Sequence, residues 1–252
     1  MNLSCDPNLP LPDYFSYRYR IIGTLLQGII FIVGILGNAF VVAVVLKVRS
    51  LRSPTNCYLL SLAMADSMVL LASIPNEIFS YYIVGNRWFW GEAGCRMMIF
   101  FQNLGINASS LSLIAFTVER YIAICQPMKA QKICTLGRAK RITLGVWGFA
   151  SAYCSPWLFG LTTTKPLKYR CQPEVLQCAF GRPRNEYLAV FFTDLIMFYV
   201  IPLILSCVLY YYISQSLHTE LQIPDSATTG MKTQRLGHKA QIMKRYIRCY
   251  LD

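Results

Sequence analysis

Charge is what this sequence has least of. Only 14% of its 252 residues are Asp, Glu, Lys or Arg, against about 25% in an ordinary soluble domain. Catalytic signatures are missing as well. There is no phosphate-binding glycine loop, no dinucleotide-binding glycine pattern, no H-E-x-x-H and no G-x-S-x-G, so the enzyme classes built on those motifs are excluded. No C-x-x-C occurs, and both histidines, His218 and His238, fall near the C-terminal end. No zinc site and no cofactor are expected.

What is abundant is apolar and comes in runs: Ile21 to Leu46, Cys57 to Val84, Met97 to Val118, Ile142 to Leu161 and Tyr187 to Leu217. About 20 apolar residues in a helix cross the hydrocarbon of a bilayer, and each run reaches that length. A soluble helical core would carry a charged face on every helix. The expected fold is therefore an all-α membrane protein with five transmembrane helices over residues 21–217. An N-terminal tail covers 1–20, and a loop-like tail rich in Ser, Thr, Gly and basic residues covers 218–252.

Basic residues orient the bundle. With the N-terminus outside, 15 of the 24 Lys and Arg residues fall on the inner side. The net charge of +12 then suits acidic inner-leaflet lipid and a cytosolic partner. Nucleic acid is a poor fit, because most of these charges border membrane spans. The start "MNLSCDPNLP" has neither a basic region nor a cleavage pattern, so the first helix is expected to serve as its own insertion signal. The same topology puts Cys5, Cys95, Cys171 and Cys178 outside, where disulfides persist. A transporter or channel is disfavoured by the absence of any internal repeat.

Polar groups inside a span are costly and are functional candidates by default. Asp66 is the deepest of them, and Asn38 and Ser109 lie at comparable depth on their own helices. The three together either hold a sodium ion through oxygen ligands or glue helices by hydrogen bonds. Gln102, Asn103 and Asn107 recur at one-turn spacing on one helix face. They either meet a polar peptide entering from outside or pack as amides between helices. Asp194, eight residues before Pro202, either lines the same cavity or pairs with an outer-loop arginine. Glu119 and Arg120 in "FTVERYIAIC" follow a charge-free stretch from Met97 to Val118.

At this point the residues resemble those of a rhodopsin-like G-protein-coupled receptor. Gly37-Asn38, "LAMAD" ending at Asp66, Trp88, Gly91 and Cys95 in "WFWGEAGC", the "ERY" of Glu119, Arg120 and Tyr121, Trp147, and Pro202 followed by Tyr210 stand in that order and at matching depths. Within the family, "SPTNCYLLSLAMAD", "LGINASS", "VERYIAIC" and "FYVIP" resemble thyrotropin-releasing hormone receptors. The resemblance implies an extracellular peptide ligand and a heterotrimeric G protein of the Gq class, with phospholipase C and calcium release downstream. It implies a plasma-membrane, multi-pass location and a disulfide between Cys95 and Cys178. It also implies that Arg120 is held by Glu119 when the receptor is off and released toward Tyr210 when it is on, and that Met128 docks the G protein. Asn107 matches a ligand-contacting asparagine, whereas Asn103 stands where the hormone receptors carry a tyrosine. Cys171 is left over and is paired, as a guess, with Cys5.

Such receptors have seven helices. After Leu217 no apolar run of spanning length occurs, and neither a C-W-x-P nor an N-P-x-x-Y motif is present. The expectation is a chain without the sixth and seventh helices that folds poorly alone and does not activate a G protein. The alternative role is a non-signalling truncated form that binds a full-length receptor and retains it in the endoplasmic reticulum.

Overall fold

The computed structural model describes residues 7–11, 14–83, 87–171 and 174–221, with side chains to residue 218. Seven helices and one hairpin make up the described fold: α1 (Tyr17–Lys47), α2 (Pro54–Ser80), α3 (Gly91–Cys125), α4 (Pro127–Ile133), α5 (Leu136–Pro156), strands β1 (Thr162–Leu167) and β2 (Val175–Phe180), α6 (Arg184–Leu195) and α7 (Ile201–Leu221). A π-helical turn, Ile196–Val200, joins α6 to α7 without a break. Beyond Leu221 the expected loop-like tail lies outside the described residues.

Local chemistry sets the helix starts. Ser16 accepts a hydrogen bond from the Tyr19 amide, Ser53 from the Asn56 amide and Thr135 from the Arg138 amide, at 3.4, 3.3 and 3.3 Å. These N-caps satisfy donors that the first helical turn leaves open. Pro54 and Pro127 follow at the first helical position, where a missing N–H costs nothing. Pro75 lies inside α2, and Pro156 closes α5 where the backbone passes into a second π turn, Trp157–Leu161.

Four helices are long and apolar enough to cross a membrane: α1, α2, α3 and the joined helix 184–218. The fifth expected span, Ile142 to Leu161, is helical too, but α5 is not among those four. It opens on Arg138, Lys140 and Arg141 and carries three glycines, and these dilute its apolar character. The first helix starts at Tyr17, inside the expected tail. At about 1.5 Å per residue its 31 residues exceed a hydrocarbon core of about 30 Å.

Helix α3 is the axis, with α2, α5 and α7 packed around it and α1 lying outside on α2. The core joins small to large: Ala65, Leu104, Ala108, Ala150, Cys154 and Trp157 are buried together. Small residues let membrane helices approach closely. Gly105 marks a close approach of α3 to α2, because a Cβ there would lie 2.6 Å from Val69 Cγ2 and 2.9 Å from the Ala65 carbonyl oxygen. A buried hydrogen-bond chain ties three helices at one level. Trp147 Nε1 donates to Ser61 Oγ at 3.0 Å, and Ser61 and Ser112 share a hydrogen at 2.8 Å.

Candidate functional site

The bundle end that carries the hairpin is held by a disulfide. Cys95, in the second turn of α3, bonds to Cys178 of β2 with 5.5 Å between Cα atoms. The strands are antiparallel, with Cys178 opposite Thr164. The segment before α3 is tied to the same hairpin. The Trp88 amide donates to the Leu176 carbonyl at 2.7 Å, its indole donates to the Gly91 carbonyl at 2.6 Å, and Arg87 bridges to Gln177. Gly91 takes φ +65° at that corner, a left-handed conformation that glycine adopts without strain. Neither the hairpin nor this tie was foreseen from the sequence. "TTTKPL" and "VLQCAF" carry only a short β-branched and alternating signal.

Two cavities open near this end. One, of about 590 Å³, is lined by residues that include Phe15, Glu77, Arg87, Trp88, Gln177 and Cys178. The other, of about 810 Å³, lies along the flank of α2 and α3, with Val42 of α1, and is mainly apolar, including Met64, Leu71, Phe79, Trp90 and Phe101. Neither is lined by Gln102, Asn103, Asn107 or Asp194. Asn76 and Glu77 were missed, although a carboxylate inside the Cys57–Val84 run is itself a signal.

The four expected ligand residues divide. Asn103 is half-buried and donates to the Ile99 carbonyl of its own helix at 2.8 Å. Gln102, also half-buried, makes no hydrogen bond among the described residues. Asn107 is buried at 2% exposure and donates from Nδ2 to Cys154 Sγ at 3.3 Å. Asp194 reaches the same place from the far side. It faces Tyr153 and bears on Cys154, and its Oδ1 is buried without a hydrogen-bond partner among the described residues. It forms no ion pair among the described residues. One turn on, Phe198 packs edge-on against Tyr153 with centroids 5.0 Å apart, and its carbonyl accepts from Ser110 Oγ at 2.6 Å. A π turn interrupts the regular i→i−4 ladder and so releases a carbonyl for such a partner.

Of the sodium candidates, Ser109 Oγ donates to Asp66 Oδ1 at 2.8 Å. Asn38 is half-buried on α1 and makes no hydrogen bond to this pair. Two of the three expected oxygen donors are therefore in contact.

At the opposite end, Glu119 and Arg120 diverge. The Arg120 guanidinium donates to Thr55 Oγ1 at the start of α2 and lies 5.5 Å from the centre of the Phe116 ring. Glu119 is 3% exposed, and its Oε1 has no hydrogen-bond partner among the described residues. The described ion pairs do not include Glu119 with Arg120. Successive side chains on a helix point about 100° apart, so adjacency in sequence does not join them here. Tyr210 is exposed, and Tyr121 instead meets Tyr212 edge-on, with centroids 6.3 Å apart. Met128 is 68% exposed on α4.

A membrane bundle centred on its third long helix, with that helix cross-linked to a hairpin lid and an acidic-basic-aromatic triplet at the other end, is the architecture of a seven-helix receptor. The chain belongs to the rhodopsin family of seven transmembrane receptors, which it matches over residues 37–249. It is 45% identical over 219 residues to the thyrotropin-releasing hormone receptor of Homo sapiens, covering 86% of this chain and 54% of that receptor. The corresponding receptor of Mus musculus is 46% identical over 203 residues, covering 80% of this chain and 50% of that receptor. Neuromedin-U receptor 1 of Rattus norvegicus is 34% identical over 198 residues, 76% of this chain and 45% of that receptor. The chain spans about half the length of these curated relatives. The family is one of receptors, not enzymes.

Proposed function

We infer that this chain is a peptide receptor similar to those for thyrotropin-releasing hormone. The observation that carries the reading is the identity to those receptors, 45% over 86% of the chain. The buried contact of Asn107 with Cys154, with the half-buried Asp194 acting on the same cysteine, supports it. In this reading the N-terminus is outside the plasma membrane and an extracellular peptide enters from the hairpin end. Asn107 and Asp194 take its amide and cationic or hydroxyl groups, because both present polar atoms in low-dielectric surroundings where a hydrogen bond gains strength. At the inner end Arg120, Tyr121, Tyr210 and the exposed Met128 face a heterotrimeric G protein, of the Gq class, that acts through phospholipase C and calcium.

A second reading, a non-signalling role in which the chain binds and modulates a full-length receptor, is favoured by one feature. The apolar flank of about 810 Å³ on α2 and α3 is a surface that helices of a like receptor would cover.

One experiment separates the two. Cells without endogenous receptor express this chain alone, the human thyrotropin-releasing hormone receptor alone, or both, and calcium is read against thyrotropin-releasing hormone concentration. A response from this chain alone supports the first reading. A response lost only on co-expression supports the second. Unchanged behaviour in both settings, with the chain at the cell surface, rejects both for this peptide.

A further inference from the structure

The turn of the β-hairpin holds on to the N-terminal segment. The Arg170 amide donates to the Pro10 carbonyl at 3.0 Å, and the Arg170 guanidinium donates to the Pro7 carbonyl. The turn is closed on itself by Lys168 and Glu174, 3.2 Å apart. The next residue, Cys171, takes φ 57° and is disulfide-bonded. Its partner is not among the other described cysteines. Cys95 and Cys178 bond to each other, and Cys57, Cys125, Cys134, Cys154 and Cys207 are free thiols. Within this chain that leaves Cys5 and Cys249, both outside the described residues.

Distance decides between them. Cys5 is two residues from Pro7, so the chain between them spans at most about 7 Å. Cys171 is next to the residue that binds Pro7 and Pro10, and disulfides need Cα atoms about 4.4–6.8 Å apart. Cys249 follows the far end of the joined helix that begins at Arg184, directly after the hairpin. That helix runs to Leu221, about 57 Å at 1.5 Å per residue, and so ends at the face of the bundle opposite the hairpin.

We propose that Cys171 is bonded to Cys5, so that the N-terminal segment is covalently fastened to the hairpin turn. The bond forms as two thiols give up two hydrogens to a disulfide-class oxidant of the secretory compartment, which leaves as two thiols. The fastening has a second point of hold. Phe15 stacks on Tyr19 with centroids 5.0 Å apart and meets Tyr81 edge-on at 5.6 Å, and Arg20 Nε donates to its carbonyl at 2.9 Å. Phe15 also lines the cavity beside Cys178. Residues near the N-terminus thereby become fixed parts of the entrance rather than a free tail, whichever ligand enters.

The test uses the whole chain and no ligand. The protein is denatured without reductant, its free thiols are alkylated, and it is cut with trypsin and then after glutamate. The cut after Glu174 parts Cys171 from Cys178. The expected product is peptide 1–18 joined to peptide 171–174, separate from the pair that carries Cys95 and Cys178, and it splits on reduction. Cys171 found alkylated, joined to the peptide with Cys249, joined to Cys95, or joined to a second copy of itself overturns the proposal. A Cys5→Ser variant gives a further check that survives poor folding yields. In the recovered chain Cys171 becomes alkylated where the parent chain shows no label, and an unlabelled Cys171 in that variant also overturns it.

Discussion

Ser109 of α3 gives its hydroxyl hydrogen to Asp66 Oδ1 of α2 across 2.8 Å. Ser109 stands one turn from Gly105, and Asp66 follows Ala65, whose carbonyl a Cβ on Gly105 would meet at 2.9 Å. The pair is a polar fastening between α2 and α3. A hydrogen bond to a carboxylate contributes about 1.5–3 kcal/mol, so Ser109→Ala is expected to lower the melting temperature of the detergent-solubilised chain in any salt. Asp66→Asn keeps an acceptor for Ser109 while removing the charge a sodium ion would need. Its melting temperature is expected to stay near the parent's and to lose any rise that sodium chloride gives over choline chloride. Equal sodium dependence in parent and Asp66→Asn would sink the cation reading and leave the hydrogen bond alone.

Gly105→Ala is expected to loosen that seam. The added Cβ meets Val69 Cγ2 at 2.6 Å and the Ala65 carbonyl oxygen at 2.9 Å. A side-chain methyl can rotate away, but a helix carbonyl cannot, so α3 must move off α2. Overpacking of this kind costs about 1–3 kcal/mol. Val69→Ala added to Gly105→Ala should recover only part of the loss. Full recovery would show that the carbonyl contact does not matter.

Lipid makes the spans legible in sequence, because it demands both length and apolarity and leaves few alternatives. Helix α5 is the exception, since packing against α2 and α3 substitutes for apolarity along part of its length. The hairpin was hidden because Thr162–Leu167 and Val175–Phe180 pair across a turn, and strand pairing leaves little trace in six residues. The π turn at Ile196–Val200 is marked only by Pro202, which has no N–H to give the Phe198 carbonyl four residues before it. For the residues singled out as candidates, the choice of hydrogen-bond partner was not readable. Asn107 bonds to Cys154, and Arg120 bonds to Thr55 rather than to Glu119, because each choice depends on the rotation of a whole helix against its neighbour.

On the proposed function, Asn107→Ala is expected to weaken the binding of the peptide ligand by about tenfold or more, which is about 1.4 kcal/mol. Its bond to Cys154 Sγ at 3.3 Å offers a control. If Asn107 acts only by holding α3 to α5, Cys154→Ala should weaken binding as much. If Asn107 meets the peptide, Cys154→Ala should leave affinity within about threefold, well under the tenfold step. Competition binding on membranes containing the chain reads both variants at once.

The last prediction concerns a stability cost at the inner end. Tyr58 is 1% exposed, and neither its hydroxyl nor Glu119 Oε1 has a hydrogen-bond partner among the described residues. A buried polar atom without a partner costs about 1–3 kcal/mol, and taking it away returns part of that. Tyr58→Phe deletes one such atom and leaves the ring packing intact. It is expected to hold or raise the melting temperature, where most buried substitutions lower it. Glu119→Gln should act in the same direction, because an amide is cheaper to bury than a carboxylate. A fall of several degrees in both variants would mean that the two side chains hold each other through a shared proton or a water. In that case the inner end is a satisfied network rather than a strained one. A rise in both leaves Arg120 where it is, on Thr55, and identifies the cost as the carboxyl group's own, kept at that position for a reason other than stability.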